Sequence, residues 1–389
     1  MIPEAEKLSR RLIILTVVLV AVILIASFAV SEWLNSRTLP SGFLVGVEFA
    51  YGGSLDDLKD LVDKVRSYTN LFVIGSIEIT FNQTALNEAC NYIVNAGLHV
   101  IVLFTDSRKY SYDIFNWMDD AKERYVDMLS IYRFDEPGGN QLDLGESAIV
   151  NATEAVDYSD AATLYVERWG THIQFYSPHT SELLTADYGL YWFDYKAGYD
   201  TVLAEFGWNH SRELHIALCR GAAKTQNRSW GTIVTWTYND TPYIESGNQL
   251  YCDMTLAFDA GAKYIVVFDY PKIGPYGILT EAHFEALKNF WNYAHSNPQN
   301  FGINQAKVAY VLPQDYGFGF RRSDDTIWGL FPPDELSEKI WHDSNKLVNV
   351  YGSRLDIVYN EAEFLNAYRS CYEKMIFWNE TVEQRARKK

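Results

Sequence analysis

The sequence predicts an α/β fold: a (β/α)8 barrel with a smaller C-terminal α/β domain and one N-terminal transmembrane helix. Strand-like and helix-like segments alternate over residues 43–294 and include eight strand candidates. Several of these strands are continuous apolar runs, which is typical of parallel strands buried on both faces. An uncharged apolar run, 12–30, precedes the alternation, and a shorter α/β pattern follows it at 306–389.

The run at 12–30, LIILTVVLVAVILIASFAV, contains no charged side chain. About 19 residues rising ~1.5 Å each span roughly 28 Å, close to the hydrocarbon thickness of a bilayer. Lys7, Arg10 and Arg11 precede the run, which predicts a cytoplasmic N-terminus at 1–11 and a single-pass protein whose main domain is extracellular. The alternative is a cleaved signal peptide, after which the protein is secreted.

Hydrophobic periodicity defines the elements of the barrel, which follows a linker at 31–42. In the first helix, Leu55, Leu58 and Val62 repeat at helical spacing, and Ser54 is a suitable N-cap. The predicted strands are 43–52, 71–80, 99–106, 126–136, 187–195, 201–208, 231–238 and 263–271. The predicted helices are 54–68, 83–97, 112–125, 158–177, 211–224, 246–261 and 281–294. No glycine-rich phosphate loop follows the first strand, so an open nucleotide-binding sheet is the weaker alternative.

The C-terminal segment, 306–389, forms a second and smaller α/β pattern after a linker at 295–305. Its strands are predicted at 306–313, 354–360 and 373–379, and its helix at 335–352. This is too little chain to bury a core of its own, so we expect it to dock on the barrel as an accessory domain.

The composition argues against one class of partner and favours another. A net charge of −17 without a long basic run argues against nucleic acid. Aromatic residues make up 15% of the chain, and Tyr and Trp suit carbohydrate sites because they combine a flat apolar face with a polar edge. A carbohydrate is therefore the expected ligand, and the membrane is the other expected partner.

Six N-x-S/T triplets agree with export from the cytoplasm. These predicted glycosylation sites are Asn82, Asn151, Asn209, Asn227, Asn239 and Asn379. Of the four cysteines, Cys219 and Cys252 fall in consecutive predicted helices, which permits a disulfide; buried free thiols are the alternative.

The ends of the predicted strands carry the chemistry that this fold allows. In (β/α)8 barrels the active site lies at the C-terminal ends of the strands. Every predicted strand ends with an acid, and most add an aromatic residue. Hydrolysis of a glycosidic bond needs two carboxyl groups, one as acid and one as nucleophile or base, and a crowded acidic site raises the pKa of one of them. The pattern therefore favours a glycoside hydrolase.

The predicted barrel resembles the (β/α)8 glycoside hydrolases. In the large retaining group of these enzymes, an Asn-Glu pair closes strand four and its Glu is the acid; here FDEP has Glu136 in that place and Asp135 where Asn is usual. The same group carries a nucleophilic Glu at the end of strand seven, whereas TWTYND has Asp240 there and no Glu before Glu245. Other barrel glycosidases use strands four and six, which implies Glu136 and Glu205. The C-terminal segment resembles the accessory α/β domains that follow some of these barrels.

Glu136 is thus the predicted acid/base and Glu205 its partner, with Asp135 and Asp269 as further catalytic candidates. Because neighbouring residues on a strand point to opposite faces, we expect only one of Asp135 and Glu136 to face the pocket, and we favour Glu136. The predicted substrate-binding residues are Glu48, Trp192, Asp194, Trp208, Trp236, Tyr238, Asp240, Tyr270 and Arg321.

Glu48 has a second interpretation, as a structural acid that pairs with Arg133 inside the barrel.

The functional prediction is a membrane-anchored extracellular glycoside hydrolase without a cofactor or metal. The alternative is a non-catalytic surface protein that keeps the barrel as a glycan-binding or envelope module. A metal-dependent hydrolase is a third and weaker reading, because the eight histidines do not fall on strand ends at metal-ligand spacing.

Overall fold

The computed structural model describes residues 38–105, 110–145 and 148–382. The predicted transmembrane run, 12–30, lies outside these residues, as does Asp106, the acid that ends the third predicted strand. Within the described ranges, no helix combines the length and the apolar character needed to cross a bilayer.

Eight parallel strands close into a barrel in chain order, because β1 is hydrogen-bonded to both β2 and β8. The strands are β1 (Leu44–Phe49), β2 (Leu71–Ile74), β3 (His99–Phe104), β4 (Leu129–Arg133), β5 (Leu183–Asp187), β6 (Thr201–Phe206), β7 (Ser229–Val234) and β8 (Tyr264–Val267). The predicted (β/α)8 barrel is therefore confirmed.

Helices surround the barrel and follow its strands. They are α1 (Leu55–Val65), α2 (Ile77–Thr80), α3 (Gln83–Asn95), α4 (Ile114–Arg124), α5 (Pro137–Asp143), α6 (Tyr158–Tyr176), α7 (Tyr191–Ala197), α8 (Arg212–Thr225), α9 (Gly247–Ala260) and α10 (Glu281–Ser296). Side-chain caps at Ser54, Asn82, Asp113 and Ser211 begin four of them.

Inward-facing side chains fill the lumen of the barrel and give it a floor. Alternate residues of each strand point inward, and they form an apolar cluster that includes Leu71, Ile101, Leu203 and Val266. At the N-terminal end, Glu182 accepts hydrogen bonds from its neighbours and closes the lumen with a polar network. The opposite end therefore remains the place for a cavity.

The prediction for the fifth strand was wrong. Strand β5 is Leu183–Asp187, and most of the predicted strand 187–195 belongs to helix α7. Six of the seven residues of α7 are buried. A helix buried all round has no polar face, so its sequence lacks the 3.6-residue period and resembles an apolar strand. Helix α7 also forms the connection between strands five and six, for which the sequence predicted no helix.

The second strand is shorter than predicted. It ends at Ile74, and residues Ile77–Thr80 form the short helix α2 that carries Glu78 at the cavity rim.

A three-stranded parallel sheet follows the barrel, in the order β10–β9–β11. Its elements are β9 (Val308–Leu312), α11 (Glu335–Tyr351), β10 (Leu355–Tyr359), α12 (Ala362–Tyr368) and β11 (Lys374–Phe377). Arg220 of α8 joins it to the barrel: the guanidinium pairs with the fully buried Asp356 at 2.8 Å and donates to the carbonyls of Ser353 and Leu355. A Cβ at Gly221 would lie 2.4 Å from the carbonyl oxygen of Ile357, so the two layers are in direct contact.

The predicted glycosylation sites lie at the surface, five of them exposed and Asn151 half-buried. All four cysteines are free thiols; Cys219 is buried and Cys252 is exposed, so the disulfide between them is not formed.

Candidate active site

A cavity of about 550 Å³ opens at the C-terminal ends of the strands. It is lined by residues from β1, β3, β4, β5, β6 and β7 and from the segments that follow β1, β2, β4, β6, β7 and β8. Seven of the predicted site residues line it: Glu48, Asp135, Glu136, Glu205, Trp208, Trp236 and Tyr270. The face that carries the chemistry of this fold is thus the face that carries the cavity.

The carboxyls of Glu136 and Glu205 approach each other in the cavity wall closely enough to share a proton. Glu205, on β6, is only 7% exposed, whereas Glu136, just beyond β4, is half-buried. Burial and the neighbouring carboxyl Asp135 raise the pKa of Glu136 to about 7. Burial and the carboxyl of Glu136 raise the pKa of Glu205 well above its ordinary value. Because the pKa values of both carboxyls are raised, the pair holds at least one proton near neutral pH.

The backbone after β4 explains why Glu136 reaches the cavity. Strand β4 ends at Arg133, after which Phe134 and Glu136 adopt left-handed backbone angles, with φ of 59° and 49°. The Glu136 N–H donates to the carbonyl of Ala186 at 3.0 Å, which ties this turn to β5. Two left-handed residues cancel the alternation of a regular strand. Both Asp135 and Glu136 therefore line the cavity, and the prediction that only one of them would do so was wrong.

Asp187, which the sequence did not identify as a site residue, fixes the same turn. Its fully buried carboxylate accepts backbone N–H bonds from Gly138 and Gly139 at the start of α5, and from Tyr188 and Gly189 after β5. A Cβ at Gly138 would lie 2.5 Å from the carbonyl oxygen of Gly189, so the approach requires glycine. The available signal was an acid at a strand end, but the misassigned fifth strand placed Asp187 at the wrong end.

Asp194 lies behind this turn and not in the cavity. Its carboxyl hydrogen-bonds that of Asp187 and accepts from the hydroxyl of Tyr165 at 2.6 Å. Burial raises the pKa of Asp187 to about 7 and that of Asp194 well above its ordinary value. The predicted role of Asp194 in substrate binding was wrong, because it lies on α7, where it is fully buried.

Asp135 and Glu48 flank Tyr132, whose ring points into the lumen. The Tyr132 hydroxyl donates to the Asp135 carboxylate. Glu48, on β1, is 3% exposed, and burial together with the nearby charges of Asp135 and Asp269 raises its pKa to about 8. No ion pair joins Glu48 to Arg133 in the described residues: Arg133 points outward, donates to the carbonyl of Phe104 and stacks on Phe134. The structural interpretation of Glu48 was wrong.

An aromatic wall made of Trp208, Trp236 and Tyr270 faces the carboxyls. The backbone N–H of Trp208 donates to the backbone carbonyl of Trp236 at 2.6 Å. The indole N–H of Trp236 donates to the backbone carbonyl of Tyr270 at 2.8 Å. The rings of Trp236 and Tyr270 are stacked with an interplanar angle of 12°. Trp208 and Tyr270 remain 38% and 45% exposed. Flat exposed rings held in place by the backbone are a surface on which a sugar can stack.

The remaining predicted residues lie elsewhere. Trp192 is buried against the C-terminal sheet, where its indole N–H donates to Glu361 at 2.7 Å, because it lies on α7 and not on a strand end. Tyr238 and Asp240 are exposed in the turn beyond β7 and do not line the cavity. The prediction that these three residues line the substrate cavity therefore does not match their positions.

Asp269 and Arg321 are also displaced from the cavity. Asp269 is fully buried and accepts from the N–H of Ile278 at 2.8 Å, while its neighbour Phe268 lines the cavity. Arg321 does not reach over the mouth, because it is paired with Asp325 and Asp143. Neither of these two predicted site residues lines the cavity.

Across the described ranges, no three His, Cys, Asp or Glu side chains are grouped so as to hold a metal ion.

The sequence matches no protein-family model and no curated protein. Among solved structures, the chain is similar to α-L-fucosidase isoenzyme 2 from Paenibacillus thiaminolyticus, with 10% identity, a TM-score of 0.48, and coverage of 86% of this chain and 64% of that one. It is also similar to the family 1 β-glucosidase from Thermotoga maritima, with 10% identity, a TM-score of 0.41, and coverage of 68% and 99%. D-psicose 3-epimerase from Clostridium cellulolyticum H10 has 11% identity, a TM-score of 0.37, and coverage of 67% and 99%. Similarity at this level concerns the fold alone.

We predict that Gly138→Ala destabilises the turn that carries Glu136. The new Cβ would lie 2.5 Å from the carbonyl oxygen of Gly189 and 2.9 Å from Oδ2 of Asp187, so the backbone must shift. We expect a loss of about 1–3 kcal/mol in the free energy of unfolding, measured by urea denaturation. Gly274→Ala is the matched control, because its Cβ would have no neighbour closer than 3.6 Å. Equal stability of the two variants would contradict the role of this contact.

Proposed function

We propose that the protein is a glycoside hydrolase in which Glu136 and Glu205 perform a two-carboxylate reaction. The observation that carries the proposal is the pair of carboxyls close enough to share a proton, which lies in an open cavity opposite an aromatic wall. One carboxyl must donate a proton to the leaving oxygen while the other is ionised, and a pair that shares protons near neutral pH supplies both forms.

The spacing of the pair favours a retaining mechanism. Inverting enzymes separate their carboxyls by about 6.5–9.5 Å to admit a water molecule, whereas retaining enzymes hold them about 5–5.5 Å apart. Carboxyls close enough to share a proton leave no room for a water molecule between them. In the proposed reaction one carboxylate attacks the anomeric carbon, and the covalent glycosyl-enzyme is then hydrolysed.

The unequal burial of the pair suggests which residue has which role. Glu136 is half-buried, so the leaving group and the incoming water can reach it. Glu205 is 7% exposed and lies deeper, where a nucleophile would sit beneath the sugar ring. We therefore propose Glu136 as the acid/base and Glu205 as the nucleophile.

Glu136→Gln and Glu205→Gln should each lower kcat by roughly 10²–10⁴-fold, because each removes a proton donor or a nucleophile while keeping the size of the side chain. The measurement is release of reducing sugar from a panel of glycans. Asp240→Asn is the control and should leave activity unchanged, because Asp240 is exposed outside the cavity. A folded wild-type protein that cleaves no member of the panel would support a non-catalytic glycan-binding module instead.

Azide distinguishes the two roles within this experiment. In Glu136→Ala, azide should attack the glycosyl-enzyme and give a glycosyl azide of retained configuration. In Glu205→Ala, it should attack the substrate directly and give the inverted product. The reverse pattern would exchange the roles of the two residues.

The pH profile should be bell-shaped, with its acid limb near neutrality. The pair is active with one proton bound, and because the two carboxyls titrate together, the pKa of about 7 is that of the first proton to leave the pair; below that pH both carboxyls are protonated. Activity should therefore rise as pH passes through about 7 and fall at higher pH, where the pair loses the remaining proton that Glu136 must donate. The measurement is kcat/KM against pH, which reports the free enzyme. Full activity at pH 5 would contradict these pKa values.

We also propose that the barrel acts outside the cytoplasm, anchored by residues 12–30. The uncharged run, the basic residues before it and the surface position of the six N-x-S/T triplets support this topology. Protease added to intact cells should degrade the barrel and leave an epitope at 1–11 protected. Recovery of protected barrel in the soluble cytoplasmic fraction would contradict the proposal.

A further inference from the structure

The cavity contains more acidic side chains than the proposed reaction uses. The acids that line it are Glu48, Glu78, Asp135, Glu136 and Glu205, and no Lys, Arg or His accompanies them in the parts of the chain that the structure describes. Glu136 and Glu205 are assigned to the reaction. Glu78 accepts from the hydroxyl of Ser76, and Asp135 accepts from Tyr132. Glu48 is left without a comparable assignment.

Glu48 is buried, and its carboxyl faces the cavity. It is 3% exposed, and no donor from the described residues is hydrogen-bonded to its carboxyl group. Gly75 makes room for that group, because a Cβ there would lie 2.2 Å from Oε1 of Glu48. Burying a carboxyl without a hydrogen-bond partner is unfavourable, and the nearby charge of Asp135 makes the ionised form of Glu48 more unfavourable still. The carboxyl group of Glu48 therefore lacks a hydrogen-bond donor, and above all it lacks a positively charged neighbour in the cavity.

We propose that the cavity recognises a sugar with a free amine, whose ammonium group binds Glu48 on the side facing Asp135. An ammonium group supplies three donors and one positive charge, so its binding favours the ionised form of Glu48, whose proton passes to the solvent, and offsets the repulsion between the two carboxylates. This inference rests on the proposed function, since it names the substrate class of the same cavity.

Other classes of sugar satisfy this cavity less well. A uronic or sulfated sugar would add negative charge beside five acids, which is repulsive. A neutral hexose can donate a hydroxyl to Glu48 but leaves the repulsion between carboxyls in place. An N-acetylated amino sugar has lost its charge. The net charge of −17 also favours the approach of a cation.

The experiment compares three sugars that differ only at C2. Glucosamine, glucose and N-acetylglucosamine are titrated into the protein, and their affinities are measured by calorimetry. The amine, hydroxyl and N-acetyl forms of galactose and of mannose are compared in the same way. We expect the amine of at least one series to bind wild type about 30-fold more tightly than its two counterparts. This ratio corresponds to about 2 kcal/mol, the lower end of what a buried charge pair is worth.

Glu48→Gln keeps the shape of the side chain and removes its ability to ionise when the amine binds, so the preference for the amine should fall to near unity. Glu335→Gln is the matched control, because it makes the same change in net charge on an exposed turn of α11 and should retain the preference. If Glu48→Gln fails to fold, the wild-type comparison still decides, because equal affinity for all three sugars overturns the inference.

Hydrolysis of neutral glycans by wild type, together with no preference for the amine, overturns this inference and leaves the glycosidase proposal intact. Absence of both sugar binding and hydrolysis overturns both.

Discussion

The hydrogen bonds to the carboxylate of Asp187 organise the site. A carboxylate with no solvent contact must be satisfied from within, and here four backbone N–H groups converge on it from the ends of β4 and β5. Their convergence brings the start of α5 against the loop after β5, which only glycine at position 138 permits. The chain between β4 and α5 must then turn sharply, and its left-handed residues deliver Glu136 to Glu205.

The same arrangement explains why so many carboxyls have raised pKa values. Glu136, Glu205, Asp187 and Asp194 form two neighbouring carboxyl pairs, one in the cavity wall and one behind it. Each pair excludes water from the other and adds negative potential, so the protonated forms persist near neutral pH. Tyr165, from the helix that follows the long insertion after β4, donates to the rear pair.

Much of the architecture followed from the sequence, and the predictions that did not match the structure have two causes. Seven of the eight apolar strands, the N-cap Ser54 and the position of FDEP after the fourth strand were predicted correctly, because they depend on local patterns of residues. Helix α7 was mistaken for a strand because it is buried all round, and that error displaced Trp192, Asp194 and Asp187. Asp240, Asp269 and Arg321 lie outside the cavity for another reason. A few backbone angles decide whether a residue near a strand end points inward, outward or beyond the sheet.

The sequence by itself determined the number and order of the strands, the end of the barrel where acids and aromatic rings gather, and Glu136 and Glu205 as the strand-four and strand-six acids. Burial patterns and turn residues are local, so these properties can be read along the chain. Only the tertiary structure decided that these two carboxyls lie close enough to share a proton, that Asp135 faces the cavity beside Glu136, and that Asp187 holds their turn. Those properties arise between strands distant in sequence, where backbone angles and desolvation, and not residue type, determine which groups meet.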